Sequence, residues 1–144
     1  MDFAFNIKQV HPEIHIYHYA PYEVTAFKRL MGKYATKQNE LDSFLRSGTF
    51  IDLYAVVRQS IIASVEKYSI KNLEKFYGFD RSIDLRVLGK IKADYEFLLE
   101  SNYLAAVDPM MRESIQKYNE DDCVSTVELH KWLESLRADL IQNG

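Results

Sequence analysis

Tyr118 and Asp122 stand four residues apart in the run Tyr118-Asn119-Glu120-Asp121-Asp122. In a helix that spacing puts both side chains on one face, one turn from each other. A carboxylate can hold a divalent cation, and a phenol can hydrogen-bond an attacking water, so the pair suits metal-dependent hydrolysis. Such a pair is common by chance and gains weight only where a second feature points to the same chemistry. The second feature is His18-Tyr19-Ala20-Pro21-Tyr22-Glu23, where a strand ends, a helix begins and a carboxylate falls in the first turn. Ligand sites in parallel α/β sheets lie at the carboxyl ends of strands. Taken alone, Glu23 reads first as a favourable charge at a helix N-terminus.

The remaining reactive side chains are assigned more plainly. His11, His15 and His18 are close in sequence, but His15 and His18 point to opposite faces of a strand, which argues against a shared zinc site. Cys123 is expected to be a small buried thiol. His130 is expected on a helix surface or at the edge of the core. Asp52, at a strand end, reads equally as a local cap or as a neighbour of the site. Lys71 and Arg58 are the weak candidates for phosphate contact, set against a simpler role as solvated charges.

The elements that must position these groups follow from periodicity and punctuation. Phe3, Ile7 and Val10 repeat at helical spacing, and His11-Pro12-Glu13 breaks that helix. Ile14 to Tyr19 is β-branched and aromatic with large side chains on both faces, the pattern of an interior strand in a mostly parallel sheet. Pro21 opens a helix whose apolar face is Val24, Phe27, Leu30, Met31 and Tyr34. A helix over about 37–46 carries Leu41, Phe44 and Leu45 and stops at Gly48. Thr49 to Tyr54 reads as a second strand, parallel to the first because helices intervene. Residues 55–63 read as helix. Ser69 caps a short helix with Ile70, Leu73, Phe76 and Tyr77 buried, ending at Gly78. Residues 80–85 read as a polar loop and about 90–99 as helix. Pro109 starts a helix over Met110–Tyr118, and a last helix, continuous with it or separate, carries Thr126, Leu129, Leu133, Leu136 and Leu140, a core stripe.

Length and composition place the chain among ordinary soluble globular proteins. Its 144 residues suit one domain with a real core, and 47 % hydrophobic against 27 % charged residues supports that class. The formal net charge of −3 argues against a basic nucleic-acid coat, yet it is compatible with a nuclease, whose site is itself acidic. A single cysteine excludes a disulfide framework and a multi-cysteine metal site, and a reducing, cytoplasmic location is the expectation. No apolar stretch is long enough to span a membrane, and the N-terminus lacks the pattern of a signal peptide. The inventory has six or more helices against two strands. Two buried strands cannot cover each other's outer edges, so part of a sheet is expected to be missing, or the chain is nearly all helical.

The run Tyr118 to Asp122 resembles the tyrosine-x-x-x-aspartate third motif of DnaQ-like 3′–5′ exonucleases of the DEDDy type. His18 to Glu23 resembles their second motif, with Tyr19 in place of the usual asparagine and Glu23 in place of the usual aspartate. Together with Phe50-Ile51-Asp52-Leu53-Tyr54, Tyr68 to Glu74 and Cys123, these runs resemble the RNase H-like YprB-type domain of predicted RecB-family nucleases, often linked to a helicase. The resemblance covers nearly the whole chain. It implies an α/β fold, here an incomplete, helix-rich RNase H-like domain with two or so parallel strands, a single partial domain over residues 1–144. It also implies hydrolysis of nucleic-acid phosphodiesters at two Mg²⁺ or Mn²⁺ ions. Glu23 and Asp122 would then be ligands, Tyr118 would orient the water, and Asp121, Tyr19, His18 and Asp52 would support them.

The family's first motif, Asp-x-Glu on the first strand, has no counterpart before Ile14. The resemblance therefore implies that the first strands and two ligand carboxylates are absent, and the isolated chain is expected to be weak or inactive. DNA or RNA is the expected substrate, with a helicase or a complementary N-terminal nuclease segment as partner. A second reading makes the chain a non-catalytic remnant or interaction protein that self-associates through strand edge 14–19. A third makes it an all-helical binding module.

Overall fold

A computed structural model describes residues 2–103, 105 and 107–143. The chain falls into two compact units, Met1–Asn72 and Leu73–Gly144.

The first unit runs α1 (Asp2–Val10), β1 (Ile16–His18), α2 (Tyr22–Tyr34), α3 (Gln38–Arg46), β2 (Phe50–Asp52) and α4 (Leu53–Ser60). β1 and β2 are parallel, as expected, in the register Ile16 with Phe50, Tyr17 with Ile51 and His18 with Asp52. Parallel strands need a crossover connection, which α2 and α3 supply. Leu41, Phe44, Leu53 and Val57 are buried and form the core of this unit. The Phe44 ring meets Phe5 and Phe50 edge-on at 6.2 and 6.0 Å, a preferred aromatic geometry.

Both strands are shorter than their sequence patterns predict, and each has a local cause. β1 stops before Ala20, which turns the chain with a φ of 63°. β2 stops at Asp52, whose carboxylate accepts from Tyr54 N at 2.9 Å and caps α4. α4 therefore begins at Leu53 and ends at Ser60, a little before the expected stretch at both ends. The apolar face of α2 is only half realised. Val24, Phe27 and Met31 are half-buried, but Leu30 and Tyr34 are exposed. Gly48, at a φ of 64°, ends α3 as its position predicts.

In the second unit lie most of α5 (Ile70–Tyr77), then α6 (Leu85–Glu100) and α7 (Pro109–Asn143). Ser69 Oγ accepts from Asn72 N, and Gly78 at a φ of 66° closes α5, so both ends of this helix follow the sequence. α6 starts earlier than expected because Asp84 caps it, accepting from Arg86 N at 2.8 Å. α7 is one continuous helix of 35 residues, and Asp108 accepts from Met110 N at its start. Leu73, Leu88, Val107 and Leu129 are buried. Phe76, expected in the core, is partly exposed and stacks on Trp132 with ring centroids 5.9 Å apart. The leucine stripe of α7 fades along its length: Leu129 is fully buried, Leu133 and Leu136 are half-buried, and Leu140 is 75 % exposed. No helix among the described residues is long and apolar enough to cross a membrane.

Candidate active site

α7 brings Tyr118, Asp121, Asp122 and Ser125 to one region, and α5 with the turn after it brings Glu74, Tyr77, Arg81 and Ser82 to the same place. Arg81 is the centre of this cluster. Its side chain is 7 % exposed, although it sits in a stretch that reads as a polar loop. Nε donates to both oxygens of Glu74 at 3.0 Å, and Nη2 donates to Glu74 Oε1 at 2.6 Å. This charge-assisted fork is the strong form of a carboxylate–guanidinium contact. The same Nη2 lies 2.8 Å from Asp122 Oδ1. That contact is an ion pair, and Asp122 Oδ1 and Arg81 Nη1 are buried atoms without a hydrogen-bond partner. The guanidinium also lies over the Tyr118 ring, 5.6 Å from its centroid. Tyr118 and Asp122, the pair that stood out in the sequence, thus share one face and meet the same cation.

Glu74 is buried on a helix face otherwise made of Leu73 and Tyr77. A carboxylate there needs full pairing, because a buried charge left alone is strongly unfavourable. Ser125 Oγ donates to Glu74 Oε1 at 2.9 Å and accepts from the Tyr77 hydroxyl at the same distance. Burial pushes the Tyr77 phenol up to about 12, with the negative charge of Glu74 adding to the shift and the Ser125 hydrogen bond opposing it. Burial also works against the charge on Arg81. Its pairing with Glu74 and then with Asp122 outweighs burial and holds the guanidinium pKa above its ordinary value. Asp121 is buried and holds a different partner. It accepts from Ser82 N at 2.9 Å and from Ser82 Oγ, tying the turn before α6 to α7.

The other predicted site residues lie in the first unit. His18 is buried, and its Nδ1 donates to Ala20 O at 2.7 Å. Glu23, more than half exposed, reaches to 3.8 Å from the same nitrogen. Asp52 resolves as a cap with a second duty, since the oxygen that caps α4 also accepts from Ala20 N at 2.9 Å. Tyr19 donates its hydroxyl to Tyr68 O and meets the Tyr54 ring edge-on. Arg58 is exposed, with its guanidinium near the Tyr54 ring, and Lys71 is exposed at the start of α5. Cys123 is exposed, contrary to the buried thiol expected, because it follows the cluster residues on α7 and turns away from the side they share. His130 is half-buried.

Glu74, Tyr77, Arg81, Ser82 and Ser125 are the cluster members that the sequence pattern did not single out. The signal available was Glu74 itself, a charge placed at helical spacing among Ile70, Leu73 and Tyr77, which demands a cation nearby. As arranged, the carboxylates do not fit a divalent metal. Asp122 faces a guanidinium in close contact, and the described residues hold no group of three His, Cys, Asp or Glu that could bind a metal ion. Among known proteins, a family model described as RNase_H superfamily matches residues 2–134. No curated protein and no solved structure matches the chain.

Proposed function

The chain belongs to the RNase H superfamily, and from that premise we propose that it is a nuclease-type domain of the DEDDy, YprB-like kind that engages DNA or RNA ends. As these 144 residues alone, it hydrolyses them weakly or not at all. Its helix-rich α/β architecture with two parallel strands accords with an incomplete RNase H-like fold. The family match runs across both compact units, which supports reading them as one partial domain. Superfamily nucleases generally use divalent metal ions, Mg²⁺ or Mn²⁺ in the DEDDy pattern, but here the Arg81 guanidinium stands at Asp122, the carboxylate that the pattern would make a ligand.

The observation that carries the reading is the placement of Tyr118 and Asp122 on one turn of α7 against Arg81. Position supports the motif, and the guanidinium supports weak activity. Arg58 and Lys71 are the cations proposed to meet the substrate backbone. A complementary nuclease segment or a helicase is the proposed partner in a fully active assembly.

The test is a gel assay of end-labelled single-stranded DNA and RNA with Mn²⁺, paired with fluorescence anisotropy. Wild type is expected to cut at a rate within a few-fold of Asp122→Ala and Tyr118→Phe. It is expected to bind the oligonucleotide several-fold more tightly than Arg58→Glu/Lys71→Glu. Fast cutting lost in Asp122→Ala would overturn the weak-activity proposal, and no binding at all would remove the nuclease reading. A second reading, an interaction protein that self-associates through strand edge 14–19, is favoured by one observation. Each strand has a single strand neighbour among the described residues, which leaves one edge of β1 without a strand.

A further inference from the structure

We propose that Arg81 is the resident cation of the Glu74–Asp122 carboxylate pair, and that it excludes a divalent metal from Asp122 while its guanidinium is in place. This assignment rests on reading Asp122 as the carboxylate of the third motif. It reaches beyond that reading by replacing the expected metal with a side chain of the same chain.

Three features of the cluster carry it. Arg81 is anchored: three of its hydrogen bonds go to Glu74, and Ser125 holds Glu74 from the other side. The same guanidinium reaches both members of the helical pair, Asp122 Oδ1 at 2.8 Å and the Tyr118 ring at 5.6 Å. Finally, a Mg²⁺ or Mn²⁺ coordinated by that oxygen would sit about 2.0–2.2 Å from it, on the same atom that Nη2 approaches to 2.8 Å. Two cations at one oxygen repel, so metal and guanidinium compete for Asp122.

The competition has a defined weak point. Arg81 holds Asp122 by one ion pair and leaves Asp122 Oδ1 buried without a hydrogen bond, whereas it holds Glu74 by three hydrogen bonds. Withdrawal of Nη2 from Asp122 would open the carboxylate and also loosen the Nη2 bond to Glu74, leaving Arg81 held on Glu74 by the two Nε hydrogen bonds. The metal affinity of Asp122 is therefore set by a residue that sequence comparison with the metal motif would never include.

The test is paramagnetic broadening of amide NMR signals by Mn²⁺ in the full chain. Wild type is expected to show no broadening at Asp121, Asp122 and Cys123 at Mn²⁺ concentrations where Arg81→Gln shows it clearly, a difference of at least about tenfold in Mn²⁺. Adding Asp122→Asn to Arg81→Gln is expected to abolish the gain. Because Arg81→Gln leaves Glu74 buried and unpaired, Arg81→Gln/Glu74→Gln removes both charges and carries the same expectation should the single variant not fold. Broadening in wild type at the same Mn²⁺ as in the folded variant would overturn the proposal, as would no gain in either variant. Failure of oligonucleotide binding would sink the nuclease reading and leave this result untouched, so the two are separable.

Discussion

Ser125 has a single hydroxyl proton, and the structure gives it two partners at 2.9 Å. The carboxylate of Glu74 can only accept, so Ser125 donates to it and Tyr77 donates to Ser125. That order places the Tyr77 proton in a buried chain, where burial pushes the phenol up to about 12 against the opposing effect of the Ser125 hydrogen bond. The consequence for stability has a definite sign. Between the unfolded value near 10 and the folded value, the unfolded chain releases a proton that the folded chain keeps. Stability therefore falls as pH rises through that window. Discounted for the part of Tyr77 that water reaches, the loss is about 1–2 kcal/mol. Urea denaturation from pH 9 to 12 should show the advantage of wild type over Tyr77→Phe shrinking by that amount; a constant difference would show that the proton is not held. Tyr118 and Asp122 were legible in the sequence because their relation is local, one helical turn. Arg81 was not, because it reaches Glu74 and Asp122 from a turn, and hydrophobic periodicity does not reveal a charge that is buried by pairing.

Helix ends carry much of what is legible in the sequence, and of what is not, at the scale of elements. Ser69 and Gly78 around α5, and Gly48 after α3, are residues whose chemistry demands a boundary, and the boundaries fall there. The end of α2 is different. It closes on Ala35, an exposed alanine at φ 47° and ψ 43°, where glycine is the residue without a steric penalty. Gly32 is the nearest glycine and stays inside the helix. Ala35→Gly should therefore raise stability by about 0.5–1 kcal/mol, read as a higher urea midpoint with an unchanged slope; a lower midpoint would mean that the left-handed turn is not what limits this end. The strand ends are hidden in the sequence for a related reason. Thr49 to Tyr54 has strand composition throughout, but one carboxylate, Asp52, gathers the amides of Ala20 and Tyr54 and converts the stretch to helix after three residues.

For the molecule as a whole, the pattern of two buried-type strands among many helices was enough to indicate a parallel α/β arrangement, and the RNase H superfamily match agrees with it. Which residues each unit buries was less legible, since Leu30, Tyr34 and Leu140 have core character and lie at the surface. The sheet register has a bearing on how the chain reaches this state. Ile16 pairs with Phe50, thirty-four positions on. Closing a loop of that length costs about 3 kcal/mol of chain entropy, and only three residue pairs return it. The helices α2 and α3 need no such closure. In pulse-labelling hydrogen exchange during refolding, amides in α3 should gain protection before those of Tyr17 and Ile51; simultaneous protection would mean that the strands nucleate folding. With the strands last, the newly made chain passes through a stage in which its helices are formed and its most β-prone segment is still open. Over that interval this protein depends most on speed, or on a chaperone, to escape pairing with the wrong strand.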